Sequence, residues 1–153
     1  MLTLQSPFVA DFERTLEQDG ILAGLRFLNG RVAHRCSAIY RLQHLTARNL
    51  YFHDREGALL PSAFGTVPLG DGFCQHALRE GFFLTDDTRT DSRVDGSPFK
   101  GVVIAYHGLP LRDKVGHLFG SLCHFDFVPR TLPDEELEVL QEAARVLPAY
   151  LPS

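Results

Sequence analysis

Apolar and polar positions change period twice along this chain. Phe8, Phe12 and Leu16 recur every fourth residue after Ser6-Pro7. That predicts a helix with a capping hydroxyl, a proline in its first turn and a stop at Gly20. Ile21, Leu25 and Leu28 predict a second helix that ends near Gly30. From Cys36 the period falls to two. Cys36, Ala38, Tyr40 and Leu42 alternate with Ser37, Ile39 and Arg41, which predicts a strand. A second strand is expected from Arg48 to His53, closed by the polar turn Asp54-Arg55-Glu56-Gly57.

Further on, Gly70-Asp71-Gly72 precedes a short amphipathic helix, Phe73 to Glu80, ended by Gly81, with Phe73, Cys74, Ala77 and Leu78 facing inward. Phe82-Phe83-Leu84 predicts a short buried strand. Thr85 to Pro98 then lacks apolar periodicity, and a loop of that length inside a compact domain suggests a lid or binding loop. A strand beginning at Val102 and running past Leu111 is expected to pair with His117–Phe127 across the turn Arg112–Gly116. Thr131-Leu132-Pro133-Asp134 opens a last helix whose acidic start suits its positive end. There Leu137, Leu140, Ala144, Leu147 and Leu151 follow three-four spacing, which predicts a coiled-coil seam broken by Pro148. Helices flanking paired strands predict an α+β antiparallel sheet with a helical layer on one face.

Composition narrows the function classes. The 153 residues make one domain, 44% hydrophobic and 22% charged. No linker divides it, so residues 1–34 are expected to hold the first helices, 35–130 the sheet, short helix and loop, and 131–153 the last helix. A net charge of −4 argues against nucleic acid or an anionic membrane as partner. No apolar run reaches the roughly 20 residues that span a bilayer, and the N-terminus lacks secretory features. Cys36, Cys74 and Cys123 are three widely spaced thiols, which points to a reducing, cytoplasmic setting. Seven histidines show no helical His-x-x-x-His or Glu-x-x-His pair, so no metal is expected. No nucleophile–base–orienter set stands out, so no catalytic residue is assigned.

Three stretches resemble the GAF domains of bacterial signalling proteins. Gly72-Phe73-Cys74-Gln75-His76-Ala77 is similar to that family's short helix. Ile104-Ala105-Tyr106-His107-Gly108-Leu109-Pro110-Leu111 resembles its Tyr-x-Gly-x-Pro-Leu strand. Gly116-His117-Leu118-Phe119-Gly120-Ser121-Leu122-Cys123, with Asp126 and Leu132-Pro133-Asp134-Glu135-Glu136-Leu137, resembles its Gly-x-Leu-Cys-x-x-Asp strand and acidic helix start. The resemblance covers Gly70 to Leu147 and implies a five- or six-stranded antiparallel sheet, related to the profilin and PAS folds. It implies terminal helices on one face and a small-molecule pocket on the other. It also implies a sensory role in signal transduction, a homodimer through Leu137, Leu140, Ala144 and Leu147, and a signalling enzyme as a further partner. A chain that opens at Met1 and closes after its last helix suits either a stand-alone protein or an excised domain.

The pocket candidates are Phe73, Cys74, His76, Asp86, Asp87, Arg93, Tyr106 and His124. Tyr106 would offer its ring and hydroxyl. A helix N-terminus would lower the pKa of Cys74, with His76 nearby. Asp86 and Asp87 would hold a cationic group, Arg93 an anionic one. His124 stands where the family has an aliphatic residue and would contact the ligand or titrate near neutrality. Each has a plainer reading: core packing for Tyr106, Cys74, Cys123 and His124, and a solvated surface for the rest. The bilin-binding branch attaches its pigment through a cysteine in the polar loop. Residues 85–100 hold none, which argues against covalent bilin. The Asn-Lys…Phe…Asp-Glu pattern of the cyclic-nucleotide branch is also missing. Free methionine sulfoxide reductases are GAF proteins of this size with three cysteines, and Cys74 falls in a comparable helix, but the loop lacks their working cysteine. The other alternative is a dimerisation module with a vestigial pocket.

Overall fold

The computed structural model describes residues 6–152. Helix α1 spans Pro7–Asp19 and begins where the Ser6 hydroxyl accepts the Val9 N–H at 3.2 Å. Gly20, at φ 91°, turns the chain directly into α2, Ile21–Asn29. Strands β1, Cys36–Gln43, and β2, Thr46–Asp54, form a hairpin. A short strand that the pattern did not foretell, β3 (Thr66–Pro68), pairs with the start of β2. Next come α3, Cys74–Glu80, and β4, Phe83–Thr85. Strands β5, Ala105–Arg112, and β6, Leu118–Asp126, form the expected second hairpin, and α4, Asp134–Val146, closes the fold. All neighbouring strands are antiparallel, in the order β3-β2-β1-β6-β5-β4.

Strand β5 starts three residues later than its apolar run suggests. Gly101, at φ 77°, bends the chain, and the N–H groups of Val102 and Val103 both return to the Phe99 carbonyl. The end of α4 follows expectation: the α-helix stops at Val146, and Pro148 sits in a final 3-10 turn.

Alternation sorts every central strand onto two faces. One face receives Ile39, Leu109 and Leu122, which pack beneath Phe12, Leu16, Leu25 and Leu28 of the first two helices and Leu140 and Leu147 of the C-terminal segment. The other receives Ala38, Tyr106, Cys123 and Phe125, covered by Phe73 and Ala77 of the α3 region, Phe83 and Val94. The two faces meet only through the strands. At the end of the β1–β6 ladder, a Cβ on Gly120 would lie 1.8 Å from the Tyr40 carbonyl oxygen, so the two strands approach as closely as they do there only because position 120 has no side chain.

This packing corrects the reading of the last helix. Leu140 and Leu147 are fully buried against the protein's own sheet, and Leu137 and Ala144 pack at the edge of the same core. Their three-four spacing is the inward stripe of a helix lying on a sheet, so Leu140 and Leu147 are taken up by the protein's own core and present no surface to a second subunit.

Candidate functional site

A cavity of about 60 Å³ lies on the face away from the terminal helices. The sheet supplies its floor: Tyr40 of β1, Tyr106 of β5, and Cys123 and Phe125 of β6. Ala47 and Val67 close one side. Phe73 and Cys74, at the start of α3, close another, and Phe64 and Phe99 meet edge to face at 5.4 Å, tilted by 70°. The 3-10 turn bearing Phe64 is tied down by the Tyr40 hydroxyl, which donates to the Phe64 carbonyl at 2.8 Å.

Tyr106 lies flat along its own strand. A Cβ on Gly108 would meet the Tyr106 hydroxyl at 2.7 Å, so the glycine two residues on is what leaves room for the ring. Phe73 packs against that ring edge to face at 5.5 Å. The Tyr106 hydroxyl and the neighbouring Ser121 hydroxyl are both buried and have no hydrogen-bond partner. Unpaired buried hydroxyls carry a desolvation cost that a partner would relieve.

Burial pushes the Cys74 thiol up to about 11 and the Cys36 thiol up to about 12, and pushes Cys123 higher still. Burial therefore acts against the helix-terminus effect expected at Cys74. Helix α3 is short, and desolvation of the thiolate outweighs its N–H groups. All three thiols stay protonated near neutrality, which makes them weak nucleophiles.

The eight candidate residues fall into four places. Phe73, Cys74 and Tyr106 line the cavity. Asp86, Asp87 and Arg93 border a separate, open polar depression on the surface. There Asp87 pairs with Arg89 at 2.8 Å, and Arg93 pairs with Asp91 at 2.6 Å, donates to the Leu84 carbonyl and covers the Phe83 ring. The 85–98 stretch is not an open lid. Asp87 and Asp91 each cap a 3-10 turn, Val94 is buried, and the Thr88 hydroxyl donates to the Val103 carbonyl. The residues that reach the cavity from this side, Phe99 and Val103, lie beyond it. His76 packs on Phe83 and bonds Arg79, outside the cavity.

His124 points the other way, because it follows Cys123 on the same strand. It joins a buried polar cluster on the helix-covered face that the sequence pattern did not reveal. The exposed Asp86 carboxylate pairs with His107 Nε2 at 2.8 Å, and His107 Nδ1 meets His34 Nε2 at 2.8 Å. Burial holds His107 below its usual range despite the carboxylate, so its ring is neutral. Neutral His107 then donates from Nε2 to Asp86 and accepts from His34 through Nδ1. That leaves His34 Nδ1 as a buried acceptor with no partner. Beside it, Ser37 accepts from Asn29 Nδ2 at 2.8 Å and donates to His124 Nδ1 at 2.6 Å. Asn29 Oδ1 is in turn held by Arg55. Burial, then the neighbouring rings, lowers His34 to about 4 and His124 to about 3. Ser37, His34 and His124 are each at most 1% exposed, so this Ser–His pair meets no substrate. Among the described residues no group of three or more His, Cys, Asp or Glu side chains is placed to hold a metal ion, and no helix is long and apolar enough to cross a membrane.

No family model and no curated protein matches the sequence. Solved structures do. The GAF domain of an Acinetobacter phosphoenolpyruvate-protein phosphotransferase superposes with a TM-score of 0.75, over 98% of this chain and 94% of that one, at 13% identity. A free methionine-R-sulfoxide reductase from Neisseria meningitidis, solved with its substrate, gives 0.73 over 98% and 93% at 13% identity. A phycocyanobilin-bound GAF domain from a cyanobacterial phytochrome gives 0.72 over 97% and 94% at 18% identity. At such identities the likeness establishes the GAF fold alone.

Proposed function

Given the GAF fold, we propose that this protein is a regulatory module that senses a small molecule held in the cavity on the open face of its sheet, within a signal-transduction pathway. The observation that carries the reading is the cavity itself. Its wall includes Tyr106, whose buried hydroxyl, like that of Ser121 beside it, lacks a partner that a ligand would supply. The phosphotransferase and phytochrome neighbours support a regulatory setting. Three free thiols suit a reducing cytoplasm. Assembly into a homodimer would use the outward faces of α1 and α4, since the leucines of α4 serve the protein's own core.

The reductase reading has one observation in its favour: Cys74 and Cys123 line the same cavity. Two features weigh against it. Their thiols are held protonated by burial. A free amino-acid sulfoxide also carries an ammonium and a carboxylate, and none of the lining residues is charged.

Native mass spectrometry of the purified protein, followed by denaturing extraction, tests the sensor reading. A molecule at one per chain is expected, and it should be lost when Ala47→Leu fills the cavity. Protein that is always empty, and whose amide exchange is the same in wild type and the filled variant apart from position 47, would sink it. Turnover of free methionine sulfoxide that disappears in Cys74→Ser would put the enzyme in its place.

A further inference from the structure

The lining chemistry goes one step further than the presence of a ligand. Resting on the small-molecule reading above, we propose that the cavity receives an uncharged ligand no larger than a single aromatic ring, carrying one hydrogen-bonding group that pairs with the Tyr106 hydroxyl.

Three observations converge on this class. Aromatic rings make up half of the lining, and two wall pairs, Phe64–Phe99 and Phe73–Tyr106, meet edge to face at 70° and 72°. Such walls present ring edges and faces to whatever enters, the arrangement in which another ring packs well. No lining side chain carries a charge, so an anion or cation would lose its hydration with nothing to replace it. Beyond the two weakly polar thiols, the lining offers polar capacity at one point. Tyr40 spends its hydroxyl on the Phe64 carbonyl, whereas Tyr106 Oη makes no hydrogen bond of normal geometry, its polar neighbours being the Ser121 hydroxyl and the Cys123 thiol.

Size sets the upper limit. The cavity holds about 60 Å³, against about 150 Å³ in an engineered apolar cavity that binds benzene. A ring therefore enters only when lining side chains move aside. A nucleotide or a tetrapyrrole would require dismantling the layer that covers the sheet.

Phenol, toluene and benzoate share one ring and differ in one group, which makes them suitable probes. Each is titrated into isotope-labelled protein and followed by amide shifts. Phenol is expected to move the signals of Gly72, Cys74, Phe99 and Cys123, and to bind about 5-fold more tightly than toluene. That preference should vanish in Tyr106→Phe, an isosteric change that keeps the fold, while benzoate should leave the cavity signals unmoved. Benzoate binding as well as phenol, or a phenol preference that persists in both Tyr106→Phe and Ser121→Ala, overturns the proposal. If none of the probes binds, the neutral single-ring class falls. A co-purifying molecule that Ala47→Leu expels would then still uphold the sensor reading. Loss of both would remove the sensor reading as well.

Discussion

The two faces of this sheet are built from the same strands and treat buried polarity in opposite ways. On the helix-covered face, Ser37, His107 and His124 sit among leucines, and the hydrogen bonds among them, Asn29, His34, Asp86 and Arg55 leave a single nitrogen without a partner. On the open face, two hydroxyls near an apolar cavity are left bare. On the first face most of the buried polar atoms find partners within the fold. On the second, two hydroxyls carry a desolvation cost that the fold does not offset. Neighbouring residues on one strand carry this contrast: Tyr106 beside His107, Cys123 beside His124.

The comparison breaks most readily at the apolar core. Leu140→Ala on the helix side should cost about 2–5 kcal/mol in urea unfolding, because the side chain is fully buried between α4 and the rest of the core. A loss under about 1 kcal/mol would mean that α4 is not docked as described. The polar cluster comes next. Ser37→Ala leaves one Asn29 amide N–H and His124 Nδ1 without their partner, at about 1–3 kcal/mol.

Acidity probes the same cluster without mutation. The folded-state pKa of His34 is lowered to about 4 and that of His124 to about 3, from an unfolded value near 6.5. The unfolded chain therefore binds more protons between those values. Stability should be complete above pH 6.5 and fall as pH drops toward 4, with a slope of up to roughly 1.4 kcal/mol per pH unit for each histidine. Melting temperatures from pH 7.5 to 4.5 measure this. His34→Gln should flatten the slope, and an unchanged slope would show that other groups set it.

The smallest effect is expected on the open face. Tyr106→Phe removes a hydroxyl that has no partner, so ligand-free protein should change by less than about 1 kcal/mol, toward greater stability. A loss comparable to that of Ser37→Ala would erase the distinction between the faces. Thiol reagents add a kinetic reading: Cys36, Cys74 and Cys123 should label slowly at pH 8 in native protein and quickly in denaturant.

Much of the fold was legible because period reports face. The alternation of Cys36, Ala38 and Tyr40 put those residues together, and Tyr40 does line the cavity. The same period misled at α4, because a helix lying on a sheet and a helix in a coiled coil show the same apolar stripe. What distinguishes them is the partner, which spacing does not name. The histidine cluster was out of reach for a different reason. His34, His107 and His124 are far apart in sequence, and only the register that sets His124 opposite both Ser37 and His107 brings them together. The polar loop was locally readable in hindsight. Asp87-x-Arg89 and Asp91-x-Arg93 are two copies of one capping unit, each aspartate accepting the N–H two residues on.

Gly120 works as a missing spacer between two strands. The Tyr40 carbonyl oxygen stands where a side chain at position 120 would begin, so even an alanine there would have to push β1 and β6 apart. Cys123 and Phe125 on the cavity side and His124 on the helix side hang from that same strand. One added methyl group would therefore disturb the hollow and the filled side of the sheet together.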